Sequence, residues 1–159
     1  MRRRLLRLFS LVLSLFIVFS VISSLAFCSE PLDASVFRKT VHHPDGCWEE
    51  IVLQFEPCGN RSIITGHITE KYYSSNNELL WSVKLTGSFT YNGVVSNCTN
   101  AYTTINFYQS GWSVISENTT HNANVAATTV ELGKNVLGIV YPMRTVNLSI
   151  TCDKDGNLS

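Results

Sequence analysis

Residues 42–47 hold two histidines, a carboxylate and a thiol, which are side chains that can bind a transition metal. Consecutive histidines reach one ion only in a loop built for that purpose. The same residues are equally typical of an exposed segment with turns at His43-Pro44 and Asp45-Gly46, without a metal ion. Residues 153–157 begin like a calcium-binding loop and equally form an Asp-Gly turn. We therefore assign no metal ligand and no cofactor from the sequence.

The sequence also contains no clear catalytic constellation. Glu49 and Glu50 stand beside Trp48 and are a pair of carboxylates of the kind used in sugar hydrolysis. Neighbouring residues of a strand point to opposite faces, so the two carboxylates would not converge on one bond. No serine lies in a Gly-x-Ser-x-Gly elbow. We predict no catalytic residue and a protein that is not an enzyme, although residues distant in sequence can still build an active site.

The cysteines predict disulfide bonds rather than a reactive thiol. Cys28 is expected to leave with the N-terminal segment, and Cys47, Cys58, Cys98 and Cys152 remain. Four cysteines allow three pairings. We favour a Cys47–Cys58 bond, which closes a short local loop, and a Cys98–Cys152 bond, which closes a loop of about 55 residues. A structural zinc site is the rival reading, but it lacks the tight Cys-x-x-Cys spacing.

Residues 1–28 are typical of an export signal. Four arginines lie among the first seven residues, and residues 8–27 carry no charge. Arginines remain on the cytoplasmic side while the apolar run enters the bilayer. We predict a signal peptide over residues 1–28 and a secreted domain. The alternative is a signal anchor that keeps residues 8–27 in the membrane with the domain outside. Membrane contact is expected only through this segment.

The charge distribution argues against a nucleic-acid partner. The formal net charge of the whole chain is zero, but four of its twelve basic residues lie in the N-terminal cluster. The rest of the chain is therefore acidic and lacks the basic surface with which proteins displace counterions from DNA or RNA.

The pattern after residue 46 predicts an all-β domain. From residue 79 to 91 the apolar residues occupy odd positions, as in Trp81, Val83 and Leu85, while most even positions are polar. We predict an irregular arm over residues 29–46 and, over residues 47–159, an antiparallel β-sandwich or open barrel of seven to eight strands after the N-terminal apolar helix. Turns are expected at Asn92-Gly93 as a two-residue hairpin, at residues 118–122 and at residues 133–135, with a strand ending at Pro142.

Tyr102 and Tyr108 form a candidate ligand face. They alternate with polar Asn and Thr residues, which predicts that they point to solvent. Exposed aromatic rings bind sugar rings and peptide side chains, although they also serve cross-strand packing. The expected partner is an extracellular peptide, a glycan or a cell surface.

A set of turn and core residues is spread over about residues 79–159: residues 87–93, Cys98, Trp112, residues 137–140, residues 145–147, residues 151–152 and residues 156–159. With these residues the chain resembles a group of uncharacterised small exported proteins of Gram-positive bacteria. The resemblance implies export, a compact β domain and a Cys98–Cys152 pair, but no activity.

Together these features predict an exported, non-catalytic extracellular or cell-surface β domain that acts as a binding module. The alternative is a secreted antibacterial or toxin-like protein that acts on competitors or on membranes.

Overall fold

A computed structural model describes residues 37–57 and 62–159, and all of its regular structure there is β-strand. The predicted signal helix, the cleavage site, Cys28 and Cys58 lie outside the described residues. No helix in the described part of the chain is long and apolar enough to cross a membrane. The strands are β1 (Phe37–His42), β2 (Trp48–Pro57), β3 (Ile63–Tyr73), β4 (Leu79–Tyr91), β5 (Ser96–Phe107), β6 (Trp112–Asn122), β7 (Val125–Val136) and β8 (Ile139–Thr151).

The strands form two antiparallel sheets in simple chain order. Sheet A contains β1 to β5 and sheet B contains β6 to β8, with each strand hydrogen-bonded to the next one in its sheet. Short connections favour this arrangement, because consecutive antiparallel strands need only a turn between them. The predicted all-β, antiparallel architecture of seven to eight strands is confirmed.

The core lies between the inner faces of the two sheets. On β4, Trp81, Val83, Leu85 and Phe89 are completely buried, as the alternation predicts. Sheet B contributes the matching apolar row on its central and last strands: Ala126, Val130, Leu132, Val146, Leu148 and Ile150. Each large apolar side chain removed from water in this way contributes about 1.5–3 kcal/mol before the chain entropy is subtracted.

Strand β3 places a carboxyl group on the core side of sheet A. Ile64 and Tyr72 are buried and face inward, so the alternation also turns Glu70 inward, opposite Ile51 of β2 and Val83 of β4. Glu70 is 8% exposed. Burial raises its pKa to about 7, because the charged form loses hydration there.

Three sequence-based boundaries are wrong. Residues 37–42 belong to the predicted irregular arm but form β1, an edge strand whose exposed side chains give no apolar signal. Residues 118–122 continue β6, and the turn follows at residues 123–124. Residues 133–135 continue β7, so the turn lies at Leu137-Gly138 and β8 runs through Pro142.

The turn between β4 and β5 has the predicted position but is longer than predicted. It spans residues 92–95 rather than two residues. The Asn92 side-chain oxygen accepts hydrogen bonds from the backbone N–H groups of Val94 and Val95, and Gly93 takes a φ of 82°. Asn92 and Gly93 therefore specify the turn through side-chain capping and a left-handed backbone conformation.

Candidate functional site

The solvent side of sheet A carries both predicted ligand-face tyrosines. Tyr102 and Tyr108 are 50% and 55% exposed, and the alternation of β5 places the exposed side chains of Thr104 and Asn106 between them. At about 3.3 Å per residue, the six-residue spacing separates the two rings by roughly 20 Å. We call this surface of β3, β4 and β5 the outer face. Its strand members include His67, Thr86, Thr90, Asn97, Tyr102, Thr104 and Asn106. Tyr108 follows the end of β5, where its backbone N–H donates a hydrogen bond to the Leu80 carbonyl.

An open depression of about 360 Å³ lies at one end of the outer face. Its lining includes Ile63, Thr90 and Asn97, which occupy one cross-strand row of β3, β4 and β5. Ser62, Tyr91, Asn92 and Val95 complete the wall. The lining surface is mostly apolar with a few amide and hydroxyl groups, a combination that suits a ligand with an apolar ring face and some polar groups.

A histidine lies in the middle of the outer face. His67 Nδ1 is 3.0 Å from Thr86 Oγ1, and Thr86 pairs with Tyr102 across β4 and β5. Burial lowers the pKa of His67, and nearby Lys84 lowers it further. The His67 side chain is 12% exposed, and its Nε2 lies 3.6 Å from Glu56 Oε1, so both ring nitrogens lie near polar partners within the protein.

The structure adds an aromatic pair on the solvent side that the sequence did not reveal. The Trp48 and Tyr73 rings stack with centroids 3.9 Å apart and planes 4° apart. Trp48 Nε1 donates a hydrogen bond to Asn77 Oδ1 at 3.0 Å. The two residues are partners in the β2–β3 register, and no short sequence motif encodes that pairing.

The two neighbouring glutamates point to opposite faces, as the sequence predicts. Glu49 is buried on the core side, where it pairs with Arg144 and its Oε1 lies 2.9 Å from His43 Nε2. Glu50 lies on the solvent side, 3.3 Å from Arg38 and 3.5 Å from Lys71. Both carboxylates are held in ion pairs and share no site.

The candidate metal ligands of residues 42–47 do not converge either. His42 lies 6.2 Å from the Trp48 ring on the solvent side, whereas His43 packs near Tyr72 and Glu49 on the core side. Asp45 accepts a hydrogen bond from the backbone of Cys47. Within residues 37–57 and 62–159 no three His, Cys, Asp or Glu side chains are arranged to hold a metal ion.

The C-terminal Asp-Gly segment is a self-contained turn. Asp153 accepts hydrogen bonds from the backbone N–H groups of Asp155 and Asn157 and from the Asn157 side chain. These bonds lower the pKa of Asp153 and use its oxygens within the turn. The hydrogen bonds within this turn account for its aspartate and asparagine residues without a bound metal ion.

Cys98 and Cys152 lie together at the buried end of the core. Their backbone N–H groups donate to the carbonyl oxygens of the adjacent residues Ala123 and Asn124, at 2.6 and 3.0 Å. Burial raises the pKa of both thiols, and Asp153 and the neighbouring Cys98 raise that of Cys152 further. Both are free thiols in the structure, as is half-buried Cys47, so the Cys98–Cys152 bond is absent here. The predicted Cys47–Cys58 bond involves a residue outside the described part.

The chain matches no protein-family model, no curated protein and no solved structure. A functional assignment therefore rests on the placement of its own side chains.

Proposed function

We propose that the protein is an exported, non-catalytic domain that binds an extracellular glycan on the outer face of sheet A. The observation that carries this proposal is the pair of half-exposed tyrosines on a polar sheet face that begins at the 360 Å³ depression. Tyr102 and Tyr108 offer platforms for sugar rings, and the Asn and Thr side chains between them offer donors and acceptors for hydroxyl groups.

The surroundings of the acid–base residues support a binding role over catalysis. Glu49 and Glu50 are engaged in separate ion pairs, and His67 is hydrogen-bonded to Thr86. A general acid–base pair needs two groups aimed at one reacting bond. The outer face offers contact area and hydrogen-bonding groups instead.

The proposed export rests on residues 1–28 and on the resemblance to exported bacterial proteins. The placement of Cys98 and Cys152 supports it, because both are buried and their backbone N–H groups bond to the adjacent carbonyls of Ala123 and Asn124. We propose that an oxidising compartment joins them, and that Cys47 pairs with Cys58. An oxidised Cys98–Cys152 pair would tie β5 of sheet A to the end of β8 in sheet B.

A glycan array tests the binding proposal. We expect a ligand whose affinity falls up to about tenfold in Tyr102→Ala and in Tyr108→Ala, the order expected for one aromatic contact. Tyr141→Ala is the matched control, because Tyr141 is also half-exposed but belongs to sheet B. An array without signal above background contradicts the proposal. An equal loss of affinity in all three variants also contradicts it. If only a peptide array gives a signal, the glycan proposal is wrong and the ligand is a peptide.

A second candidate is a secreted antagonist that acts on competing cells or their membranes. It is favoured by one observation, the exposed apolar turn of the β7–β8 hairpin around Leu137. Purified protein is then expected to inhibit the growth of neighbouring strains, and absence of inhibition at any soluble concentration removes this candidate.

A further inference from the structure

The β7–β8 hairpin ends in an exposed apolar tip. The tip consists of Val136, Leu137, Gly138, Ile139 and Val140, and each of its four apolar side chains is at least 43% exposed. Leu137 is 100% exposed and touches no other part of the domain. Scattered apolar residues on a surface are ordinary, but a contiguous apolar projection indicates an interaction site.

The backbone conformation at the tip does not favour leucine at position 137. Leu137 and Gly138 have φ angles of 53° and 87°, a left-handed pair for which asparagine followed by glycine is the usual choice. The β3–β4 turn of the same chain does use asparagine, with Asn77 at 64°. Leucine is disfavoured in this conformation and its side chain gains no contact within the domain, so its presence calls for a role outside the fold.

Part of the backbone at the tip is paired within the hairpin. The β7–β8 ladder continues through Asn135–Val140 to Val136–Ile139. The Asn135 side-chain oxygen then accepts the Gly138 N–H at 2.9 Å. Among the described residues the free edge of β8 has no strand partner in sheet B, so these bonds satisfy only the inward-facing polar groups of the tip. Pairing those groups lowers the cost of bringing the tip to the boundary between headgroups and hydrocarbon.

Amphipathic side chains lie one step behind the tip. Lys134 pairs with Tyr141 in β8 and with Trp112 in β6, and its ammonium group is 5.8 Å from the Trp112 ring centroid. This row lies three residues from Leu137, or about 10 Å along the strand. Trp112 is partly buried and packs edge-on against Trp81 and Tyr72, whereas Lys134 and Tyr141 are exposed. An exposed tyrosine and lysine at that distance behind an apolar segment match the headgroup region of a bilayer.

The charges near the tip also suit a lipid surface. Between Glu131 and Asp153 the chain has no carboxylate side chain, and its two charged residues there are Lys134 and Arg144. Arg144 pairs with Glu49, which leaves Lys134 beside the tip to meet lipid phosphate groups. The acidic residue of the hairpin that lies nearest the tip in sequence is Glu131, six residues before Leu137, so residues 132–151 bring no carboxylate to a phosphate-bearing surface.

We propose that the β7–β8 tip inserts shallowly into a lipid bilayer, with the tip at the outer acyl boundary, Lys134 and Tyr141 among the headgroups and partly buried Trp112 directly behind them. A second copy of the chain fits less well, because a convex turn of two strands offers far less than the roughly 800 Å² per partner of a stable interface. This contact is additional to the membrane contact expected of residues 8–27, and it is independent of any ligand on the outer face.

Tryptophan fluorescence in vesicles tests the insertion. The full chain is mixed with phosphatidylcholine–phosphatidylglycerol vesicles whose lipids carry bromine at shallow acyl positions. All three tryptophans lie in the described domain, so residues 1–28 give no signal of their own. A Trp48→Phe background leaves Trp112 near the tip and fully buried Trp81. We expect bromine to quench Trp112.

Two matched variants identify the segment responsible. Leu137→Asn is expected to lose most of the quenching and to fold normally, since asparagine tolerates the positive φ. Ile139→Thr, a strand-compatible change, is expected to weaken the quenching in the same direction. Val94→Asn is the control, because Val94 is an exposed apolar turn residue between β4 and β5, and its quenching is expected to stay at the parent level.

The proposal is wrong if the parent shows no quenching, or if Leu137→Asn and Val94→Asn are quenched equally. It is also wrong if sedimentation finds a dimer that Leu137→Asn dissociates while lipid quenching is absent. The tip would then be a self-association surface.

Discussion

Replacing Glu70 with glutamine tests the packing between the two sheets, because burial of Glu70 makes the free energy of unfolding depend on pH. Glu70 faces the core side of sheet A and is buried, and its pKa rises from 4.5 to about 7 for that reason. At pH 8 the folded protein must therefore keep an ionised carboxylate where hydration is poor. The unfolded chain hydrates the same carboxylate fully.

The sign and size of the effect follow from proton linkage. Below pH 4.5 Glu70 is protonated in both states and carries no penalty. As the pH rises from about 4.5 to about 7, the unfolded chain releases this proton first, so the free energy of unfolding falls, and above that range it stays level. At about 1.4 kcal/mol per pKa unit the total loss is up to about 3 kcal/mol.

Urea unfolding at pH 5 and pH 8 measures this difference. We expect Glu70→Gln to raise the free energy of unfolding by about 2–3 kcal/mol at pH 8 and to change it by less than about 1 kcal/mol at pH 5. Glu78→Gln, at an exposed turn position, is expected to change either value by less than about 0.5 kcal/mol. An equal effect of Glu70→Gln at both pH values, or a loss of stability at pH 8, refutes the reasoning.

Four further substitutions probe other contacts, each by the same unfolding measurement. Gly87→Ala would bring a methyl group within 3.0 Å of a core ring and is expected to cost about 1–3 kcal/mol; a neutral result would mean that the sheets pack less closely there. Glu49→Gln breaks a buried ion pair and is expected to lower the free energy of unfolding by about 3 kcal/mol. Glu50→Gln, whose partners lie on the solvent side, is expected to lower it by less than about 1 kcal/mol. The reverse order would contradict the assignment of the two glutamates to opposite faces. Leu85→Ala is expected to cost about 2–5 kcal/mol, and a loss below about 1 kcal/mol would exclude Leu85 from the core.

The sequence predicts best the strands that lie with one face wholly inside the core. Strand β4 alternates clearly because its inner side chains are covered by sheet B, so every second position must be apolar. Strand β1 and the end of β6 lie at sheet edges and are largely exposed on both faces. Hydrogen bonding holds them in place there, and an apolar period is not required.

Gly133 explains why the β7–β8 turn was misplaced. Glycine followed by Lys134-Asn135 is a typical turn sequence. In the structure a Cβ at Gly133 would lie 2.5 Å from Val140 and 2.8 Å from Ile115, so glycine permits a close approach within the sheet. Local sequence does not distinguish these two uses of glycine.

The candidate site also combines features that the sequence predicts with features that it does not. Tyr102 and Tyr108 are both exposed, Tyr102 through the alternation of β5 and Tyr108 one residue beyond the end of that strand. Their role as a ligand face stays a prediction. The depression and the Trp48–Tyr73 stack depend on the register between strands. Register is a tertiary property that turn lengths and core packing set together.

The assignment as an extracellular module depends on the folded domain leaving the cytoplasm in oxidised form. Intact-mass measurement of the protein recovered from the native cells, with and without alkylation of free thiols, tests this most directly. We expect the protein outside the cytoplasm, without residues 1–28, and with no alkylation of Cys47, Cys58, Cys98 or Cys152. Recovery of the full-length chain from the cytosol with every cysteine alkylated would contradict the account.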